Sequence, residues 1–537
     1  AEERVGQMLL VPIDGADVVD GSTIAHLIDD LHVGGVVLDS RRGNFANGAD
    51  APMQVAKLAN ALQRRTAAAG RPYVPLLVAV TQLGEEPPGT ALSGGMTVLP
   101  TQMTVGATWQ PELADQVGQV IGRELAAVGG NLLLGPNLDV AAVPRPGTSG
   151  DLGTRVFGGS PSWVARLGQA FVRGVRQGSN GRVATACASF PGLGGADRSP
   201  ADEAAVVESS LPELLAADLA PYLAVTDHST DATTAAVISS HARYRALQQQ
   251  TDRPFSLDTG GMGYLWAQVP QLKRWRDAGG VVVSSGLGLP TVRRYADPSL
   301  TEFSVRRVVD EAVTAGNDLL LLTDFGPPGA TSAADANIDA AVQWLLDRYR
   351  QDEAVRELVD AAALRVLGLK LGLHPDAALE RVLVDPELAP AATGLGADVT
   401  GQVGAAALTL ISPGAALPAG PGVVAPQSGE TILFVADERA VRECAECEPT
   451  TVLSPAELVD RVRQRYGPAG SGRLLREDQV EGVTFSEMKA WLQGRGSVAA
   501  EDTPVLLPEL DPARAAEIGR WVDRSDWIVF AMRDARP

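Results

Sequence analysis

The stretch P-E-L-A-D-Q-V-G-Q-V-I-G-R-E-L-A-A-V-G-G-N-L-L-L-G-P, residues 111–136, decides the fold. Residues 111–129 place apolar side chains at helical spacing, and residues 130–136 form a short, continuous apolar run. A helix with one apolar face, next to a strand that is apolar on both faces, is typical of a parallel sheet covered by helices. The same alternation recurs upstream and downstream, with apolar runs at 8–13, 34–39, 75–80, 130–136, 183–189, 235–240, 279–285 and 317–324.

Eight strand-plus-helix units predict a (β/α)₈ barrel of the TIM type, over residues 1–374. A doubly wound sheet is the alternative, but no G-x-G-x-x-G motif follows the first strand. Residues 375–403 are rich in Pro and Ala, which predicts a linker. Residues 404–537 predict a smaller α/β sandwich domain, with a helix at 454–466 and strands at 407–412, 431–437, 451–455, 504–508 and 526–532.

Charge and hydropathy exclude several classes of protein. The 537 residues carry 45 basic and 65 acidic side chains, a net charge of −20, which argues against binding to nucleic acid or to anionic lipid. No apolar stretch approaches the roughly 20 residues needed to span a bilayer. A location in the cell envelope or outside the cell stays open, with an export signal beyond the residues printed here.

The three cysteines exclude a framework of disulfides. Cys444 and Cys447 form a single C-x-x-C pair, while Cys187 stands alone. Zinc is disfavoured because there is no second pair and none of the five histidines lies at zinc-finger spacing. A local disulfide and two inert thiols both stay open for the pair, and we expect neither a metal site nor a cofactor.

Active sites of such barrels lie at the carboxyl ends of the strands. That rule gives a set of candidates poor in charge, with one histidine, no lysine and few carboxylates: Thr81, Gln82, Asn137, Asp139, Ala188, Ser189, His241, Ser284, Ser285 and Asp324.

Six segments, taken in order, resemble glycoside hydrolase family 3, in particular its two-domain bacterial β-N-acetylglucosaminidase branch. The resemblance implies a barrel followed by an α/β sandwich, and descent from exo-acting β-glycosidases of the cell-wall-recycling type. The matching segments are L-P (99–100) with V-G-A-T (105–108), G-P-N-L-D-V (135–140), R-V-F-G (155–158), F-P-G-L-G (190–194), S-S-H (239–241) and A-G-N-D (315–318).

Four catalytic or binding elements of that family are degenerate here. Ser285 stands where the resemblance places the nucleophilic Asp, and Ala188 and Ser189 replace a Lys-His pair that holds sugar hydroxyls. The loop 194–202 lacks the histidine of an Asp-His acid/base dyad, and T-Q-L-G-E (81–85) replaces a D-Q-E-G-G motif. A serine hydroxyl is neutral and needs an adjacent base to act as a nucleophile.

These departures predict a catalytically impaired pseudo-glycosidase that binds a cell-wall type of glycan, such as a muropeptide, or a protein partner. The alternative is an active β-N-acetylhexosaminidase or β-glucosidase type of hydrolase with relocated carboxylates, because separation in space matters rather than position in sequence. The candidates for such a pair are Glu85, Glu86, Asp197, Asp202 and Asp324.

The resemblance also suggests substrate-binding residues. Arg155 is predicted to contact a carboxylate or acetamido group, and the competing role is a brace paired with Asp139 or Asp151. Asp139 and His241 are the other two candidates, each with a structural alternative as a hydrogen-bonded group of the barrel mouth. Tryptophans 109, 163, 266 and 275 could stack on sugar rings, but most lie in helical patterns that predict packing.

Overall fold

The computed structural model forms two compact units, residues 1–409 and 410–537. It describes residues 1–69, 72–85, 89–145, 148–249, 252–300, 303–326, 331–409, 426–438, 440–441, 450–451, 453–468, 475–495 and 510–532.

The first unit is a barrel of eight parallel strands, in the order β8-β1-β2-β3-β4-β5-β6-β7. A parallel bridge between Val283 and Leu319 joins β7 to the residues that enter β8 and brings the ends of the sheet together. Each predicted apolar run overlaps one of these strands, and two of the strands extend one residue beyond their runs, so the barrel prediction is confirmed. The strands are β1 (Leu9–Pro12), β2 (Gly35–Val37), β3 (Leu77–Val80), β4 (Leu132–Asn137), β5 (Ala184–Phe190), β6 (Ala236–Ser239), β7 (Val281–Ser284) and β8 (Leu320–Leu321).

Helices cover the outside of the barrel because their apolar faces pack against the outward side chains of the strands. The helices of this unit are α1 (Glu2–Gln7), α2 (Thr23–Asp29), α3 (Ala51–Ala68), α4 (Gln102–Ala107), α5 (Pro111–Ala127), α6 (Pro161–Gly178), α7 (Leu211–Ala216), α8 (Ala220–Val225), α9 (Thr259–Gln268), α10 (Pro270–Asp277), α11 (Pro290–Ala296), α12 (Val305–Thr314), α13 (Thr331–Gln351), α14 (Glu353–Leu373), α15 (Leu379–Val382), α16 (Ala389–Ala392) and α17 (Ala397–Ala407).

Helices α5 and α6 approach each other closely beside β4 and β5. A side chain at Gly122 would place its Cβ 2.2 Å from the carbonyl oxygen of Val175, and one at Gly174 would place it 2.0 Å from that of Asp115. Glycine therefore allows the two helices to touch backbone to backbone. This contact fixes the two strands whose ends carry the candidate site.

Helix α14 closes the amino-terminal end of the barrel. Its Val366, Leu369 and Leu373 pack with inward side chains of the strands, among them Leu10 and Leu77. On the same side, the Lys370 amine donates to Gln7 Oε1 at 2.6 Å, just before β1. The interior of the barrel is therefore filled at this end.

Residues 375–403, for which we predict a linker, pack on the barrel over much of their length. The amide of Asn60 on α3 bonds to both the N–H and the carbonyl of Val384, at 3.0 and 2.7 Å. Buried Glu124 on α5 accepts the N–H of Gly394 at 2.9 Å, and Thr97 Oγ1 accepts that of Gly396 at 2.8 Å. In the structure, this segment belongs with the barrel unit rather than between the two units.

The second unit is a parallel sheet of three strands, with helices on both faces. Strand β9 (Ile432–Ala436) lies between β10 (Val480–Thr484) and β11 (Trp527–Ala531). Helix α18 (Pro455–Tyr466) packs on one face, and α19 (Phe485–Gly494) and α20 (Pro512–Arg524) pack on the other. Strands β9 and β11 and helix α18 are as predicted. Strand β10 is not, because Glu481 and Gly482 interrupt its apolar pattern. The predicted strand at 504–508, Cys444 and Cys447 lie outside the described residues.

Candidate functional site

A cleft opens where β4 and β5 end, at the carboxyl-terminal side of the barrel. Its volume is about 140 Å³. The loops after β4 and β5 form its walls, as expected for a barrel whose ligands bind at the carboxyl ends of the strands. Its lining residues are Asn137, Asp139, Ser149, Gly150, Asp151, Leu152, Arg155, Ser189, Leu193, Ala196, Arg198, Ser199 and Pro200.

Asp139 forms the floor of the cleft and is 2% exposed. Its carboxylate accepts the N–H of Leu193 at 2.8 Å and the N–H and hydroxyl of Ser189 at 3.4 and 3.3 Å. Burial raises the pKa of Asp139 to about 6, and the two N–H groups and the charge of Arg155 oppose that rise. The carboxylate thus ties the loop after β5 to the end of β4.

Arg155 lies on the opposite wall, in a short 3₁₀ turn (Gly153–Arg155). Its guanidinium donates to the carbonyl oxygens of Leu152 and Asp151, at 3.1 and 2.9 Å, and the side chain is exposed. These two bonds use Nε and Nη2. Arg155 is therefore both a brace for its own turn and a cation that lines the cleft.

His241 lies in the wall of the barrel and is not among the residues that line the cleft. It is 2% exposed, with Nδ1 at 2.6 Å from Ser256 Oγ and Nε2 at 2.9 Å from the carbonyl oxygen of Gly286. Burial lowers its pKa to about 4, so the ring is neutral at pH 7. The carbonyl requires a proton on Nε2, and Nδ1 then accepts from the Ser256 hydroxyl. A ligand would have to replace one of these bonds to reach the ring.

Ser285 follows the last residue of β7 and is half-buried. Its N–H donates to the carbonyl of Ser239 at 3.0 Å, which continues the sheet. Within the described part of the chain, the hydroxyl of Ser285 has no hydrogen-bonded base. Ser189 lines the cleft and Ala188 lies in β5, so the two residues at the Lys-His positions bring no charge.

The acidic residues that could form a relocated pair are scattered. Asp197 accepts the N–H of Val206 at 2.8 Å and pairs with Arg198 at 2.8 Å. Asp202 is exposed, and Asp324 is exposed at 3.7 Å from Arg42. Glu85 is half-buried in the loop after β3, and Glu86 lies outside the described residues. None of the four described acids lines the cleft, whose carboxylates are Asp139 and Asp151.

The tryptophans lie away from the cleft. Trp275 is buried, and Trp266 stacks on Phe190 with ring centres 5.6 Å apart. Trp109 is exposed and meets the edge of Trp163 at 5.3 Å.

Two residues that hold the site together, Arg145 and Asp218, carry no sequence signal. Arg145 lies in an irregular loop, and Asp218 lies between two short helices at no recognisable spacing from the strand ends. The described residues contain no group of three or more side chains that could hold a metal ion, and no described helix is long and apolar enough to cross a membrane.

Curated relatives match part of the chain. A protein named beta-hexosaminidase from Hydrogenovibrio crunogenus is 28% identical over 234 residues, which are 42% of this chain and 58% of that one. A beta-hexosaminidase from Bordetella avium is 33% identical over 196 residues, 35% of this chain and 50% of that one. The chain thus spans between half and three-fifths of the length of these two relatives.

Solved structures give the same fold. A family 3 beta-N-acetylglucosaminidase from Paenibacillus sp. superposes with a TM-score of 0.68 at 24% identity, over 98% of this chain and 84% of that one. A beta-N-acetylhexosaminidase from Beutenbergia cavernae superposes with a TM-score of 0.54 at 28% identity, over 69% of this chain and 98% of that one. The family model for the glycosyl hydrolase family 3 N terminal domain matches residues 1–367. Because that match covers more than half of the chain and all eight strands of the barrel, the chain belongs to glycosyl hydrolase family 3.

Proposed function

We propose that this protein binds a cell-wall type of glycan in the Arg155 cleft and is catalytically impaired as a glycosidase. The observation that carries the proposal is the state of the two carboxylates in the cleft. Asp139 accepts the N–H of Leu193, and Asp151 accepts the N–H of Gly153 at 2.9 Å. Both acids are therefore used to shape the main chain, whereas a glycosidase of this type turns a pair of carboxyl groups toward the sugar.

The residue at the nucleophile position supports the same proposal. A retaining glycosidase forms a covalent bond between a carboxylate and the sugar. Ser285 offers a neutral hydroxyl there, and the described residues place no base beside it. A glycosyl-enzyme intermediate of the family type therefore has no group on which to form.

Arg155 supports glycan binding. The guanidinium is a planar fork that suits a carboxylate or an acetamido oxygen, and two main-chain bonds already fix its orientation. Less rotamer entropy is then lost when a ligand binds. The named relatives are beta-hexosaminidases, which favours an N-acetylated sugar over a plain glucoside as the ligand.

One observation favours the alternative, an active hydrolase. A buried carboxyl group with a pKa of about 6, as in Asp139, has the acidity that a general acid needs near neutral pH. Its geometry opposes that role, because both oxygens already accept hydrogen bonds, one from Ser189 near the end of β5 and one from Leu193 in the loop that follows.

The experiment is a hydrolysis screen with aryl β-N-acetylglucosaminide and aryl β-glucoside, beside calorimetric titration with N-acetylglucosamine. We expect no turnover above the buffer rate and a measurable heat of binding. Turnover that Asp139→Asn abolishes would establish the alternative and overturn the proposed impairment. A protein that ignores N-acetylglucosamine and muropeptides alike would contradict glycan binding and leave a protein partner as the ligand.

A further inference from the structure

One wall of the cleft is a loop held by charged groups on both of its sides. This cleft loop, residues 189–196, contributes Ser189, Leu193 and Ala196 to the lining. On one side, Arg145 donates to the carbonyls of Gly194 at 3.2 Å, Gly195 at 3.5 Å and Ala196. The position of this wall therefore depends on groups that do not themselves touch the ligand space, Arg145 among them.

Two buried carboxylates hold the other side. Asp139 accepts the N–H of Leu193, and the N–H groups of Gly194 and Gly195 lie against the carboxylate of Asp218. Asp218 is 4% exposed and lies in front of helix α8. A Cβ at Gly194 would lie 2.7 Å from Asp218 Oδ1, so the loop approaches this acid as closely as glycine permits.

The surroundings of the two acids are apolar and incompletely paired. Asp218 Oδ1 and the hydroxyl of Tyr222 are buried, and neither atom has a hydrogen-bond partner among the described residues. The Tyr244 hydroxyl donates to the carbonyl of Gly192 at 2.9 Å, and Cys187 is buried nearby. Arg145 opposes the rise in the pKa of Asp218, and Arg155 opposes the rise in the pKa of Asp139.

We propose that Asp139 and Asp218 form an acidic latch, which holds the cleft loop in place when protonated and loosens it when both acids ionise. Two negative charges under one loop repel each other, and opening the loop lets water reach them. Protonation removes the repulsion, and a neutral carboxyl still accepts an N–H bond through its carbonyl oxygen. The cleft is formed with the loop in this position. Acid, which favours this position, should therefore raise the affinity for a ligand in the cleft; this last step rests on the proposed function.

The direction follows from the proton balance. Burial raises the pKa of Asp139 and of Asp218 to about 6 in the latched loop. An opened loop returns each acid to an ordinary value near 4. The latched state therefore binds more protons, and acid favours it. For one such carboxyl group, the equilibrium constant for opening the loop increases roughly 20-fold between pH 4.5 and pH 7. Tyr222 and Tyr244 stay neutral throughout, because burial raises their pKa well above the usual range.

Amide hydrogen exchange of residues 193–196 in the full chain tests the latch without any ligand. After correction for the intrinsic exchange rate, we expect protection to fall at least tenfold from pH 4.5 to pH 7. Asp218→Asn mimics the protonated acid, so it should exchange more slowly than the parent at pH 7 and show a smaller pH dependence. Asp227→Asn is the matched control just after α8, where a partly exposed acid with a lowered pKa should leave the pH dependence as in the parent.

Two outcomes would overturn the latch. One is equal protection at both pH values in the parent. The other is lower protection at both pH values in Asp218→Asn, which would make the acid a plain structural acceptor. Titration with N-acetylglucosamine, a neutral probe, then tests the coupling. We expect tighter binding at pH 4.5 than at pH 7, and a smaller difference in Asp218→Asn. Failure of the sugar to bind at any pH contradicts the proposed function, while the exchange data still decide on the latch.

Discussion

At the mouth of the barrel, charged side chains bond mainly to the main chain. Arg155 donates to two carbonyls, Asp139 accepts two N–H groups, and Arg145 holds three carbonyls of the cleft loop. Each charge therefore fixes a loop that strand geometry alone would leave undetermined. A ligand in the cleft then meets the remaining edge of Arg155, together with the other polar side chains of the lining, among them Asn137 and Arg198.

Replacing Arg155 by Ala separates its two roles. Two hydrogen bonds at an exposed position contribute about 1 kcal/mol or less to stability, so the midpoint of thermal unfolding should barely move. The heat of N-acetylglucosamine binding should disappear, and Arg155→Lys should restore it only in part because the planar fork is lost. Arg166→Ala, an exposed arginine over the ring of Trp163, is the control and should bind as the parent does. A large fall in melting temperature with binding retained would make Arg155 a brace alone.

Ser285→Asp tests whether the nucleophile alone is missing. We expect no hydrolysis of aryl β-N-acetylglucosaminide above the parent rate. The carboxylates of the cleft stay bonded to the main chain, and groups that act as a unit do not recover singly. Circular dichroism establishes that the variant is folded. Turnover in this single variant would show that a working acid is already present near the mouth.

His241 should make the protein less stable in acid. Its pKa of about 4 in the folded state lies below the usual 6.5, so the unfolded chain takes up the proton first. The neutral ring contributes its full stabilisation above pH 6.5. As the pH falls toward 4, the free energy of unfolding drops by up to about 3 kcal/mol. In urea titrations, the stability difference between parent and His241→Gln should narrow from pH 7 to pH 4. A constant difference would mean that the ring does not titrate in this range.

At the scale of elements, the eight barrel strands are predictable because each is a short apolar run between amphipathic helices. Strand β10 is not, since Glu481 and Gly482 break its pattern and only pairing with β9 defines it. The packing of residues 375–403 is equally hidden, because it depends on single side chains such as Asn60 and Glu124 far back in the chain. The position of the cleft at the strand ends is predictable from the apolar pattern, whereas the position of Asp218 beneath the cleft loop is not.

Helix α14 offers a matched pair of leucines for a test of the barrel end. Leu369 is 9% exposed and packs into the interior, whereas Leu364 on the same helix is 71% exposed. Leu369→Ala should lower the free energy of unfolding by about 2–4 kcal/mol, because it removes buried methyl groups and leaves a cavity. Leu364→Ala should change it by less than about 0.5 kcal/mol. Equal losses would show that α14 does not fill the barrel.

At the scale of the whole molecule, the barrel unit carries the family match and the cleft. The structure from Beutenbergia cavernae matches 69% of this chain over 98% of its own length. The extent of the barrel domain, to residue 374 from the sequence or to 409 from the compact unit, is open to direct measurement.

Two fragments decide this boundary. Residues 1–409 should unfold cooperatively near the barrel transition of the full chain. Residues 1–374 lose the bonds of Asn60 to Val384 and of Thr97 to Gly396, each about 1 kcal/mol, and should melt several degrees lower. Differential scanning calorimetry on both fragments gives the comparison. Identical midpoints would make residues 375–409 a dispensable tail, as expected of a linker.

The closure of the barrel also determines how long its first strand waits for a partner during synthesis. Strand β1 pairs on one side with β8, where Leu9 lies opposite Leu320, about 310 residues later in the chain. At 5–20 residues per second, a ribosome needs roughly 15–60 s to deliver that partner. Through this interval the apolar edge of β1 in the nascent chain is open to pairing with other chains. The barrel thus needs its first strand to be sheltered until β8 has been synthesised.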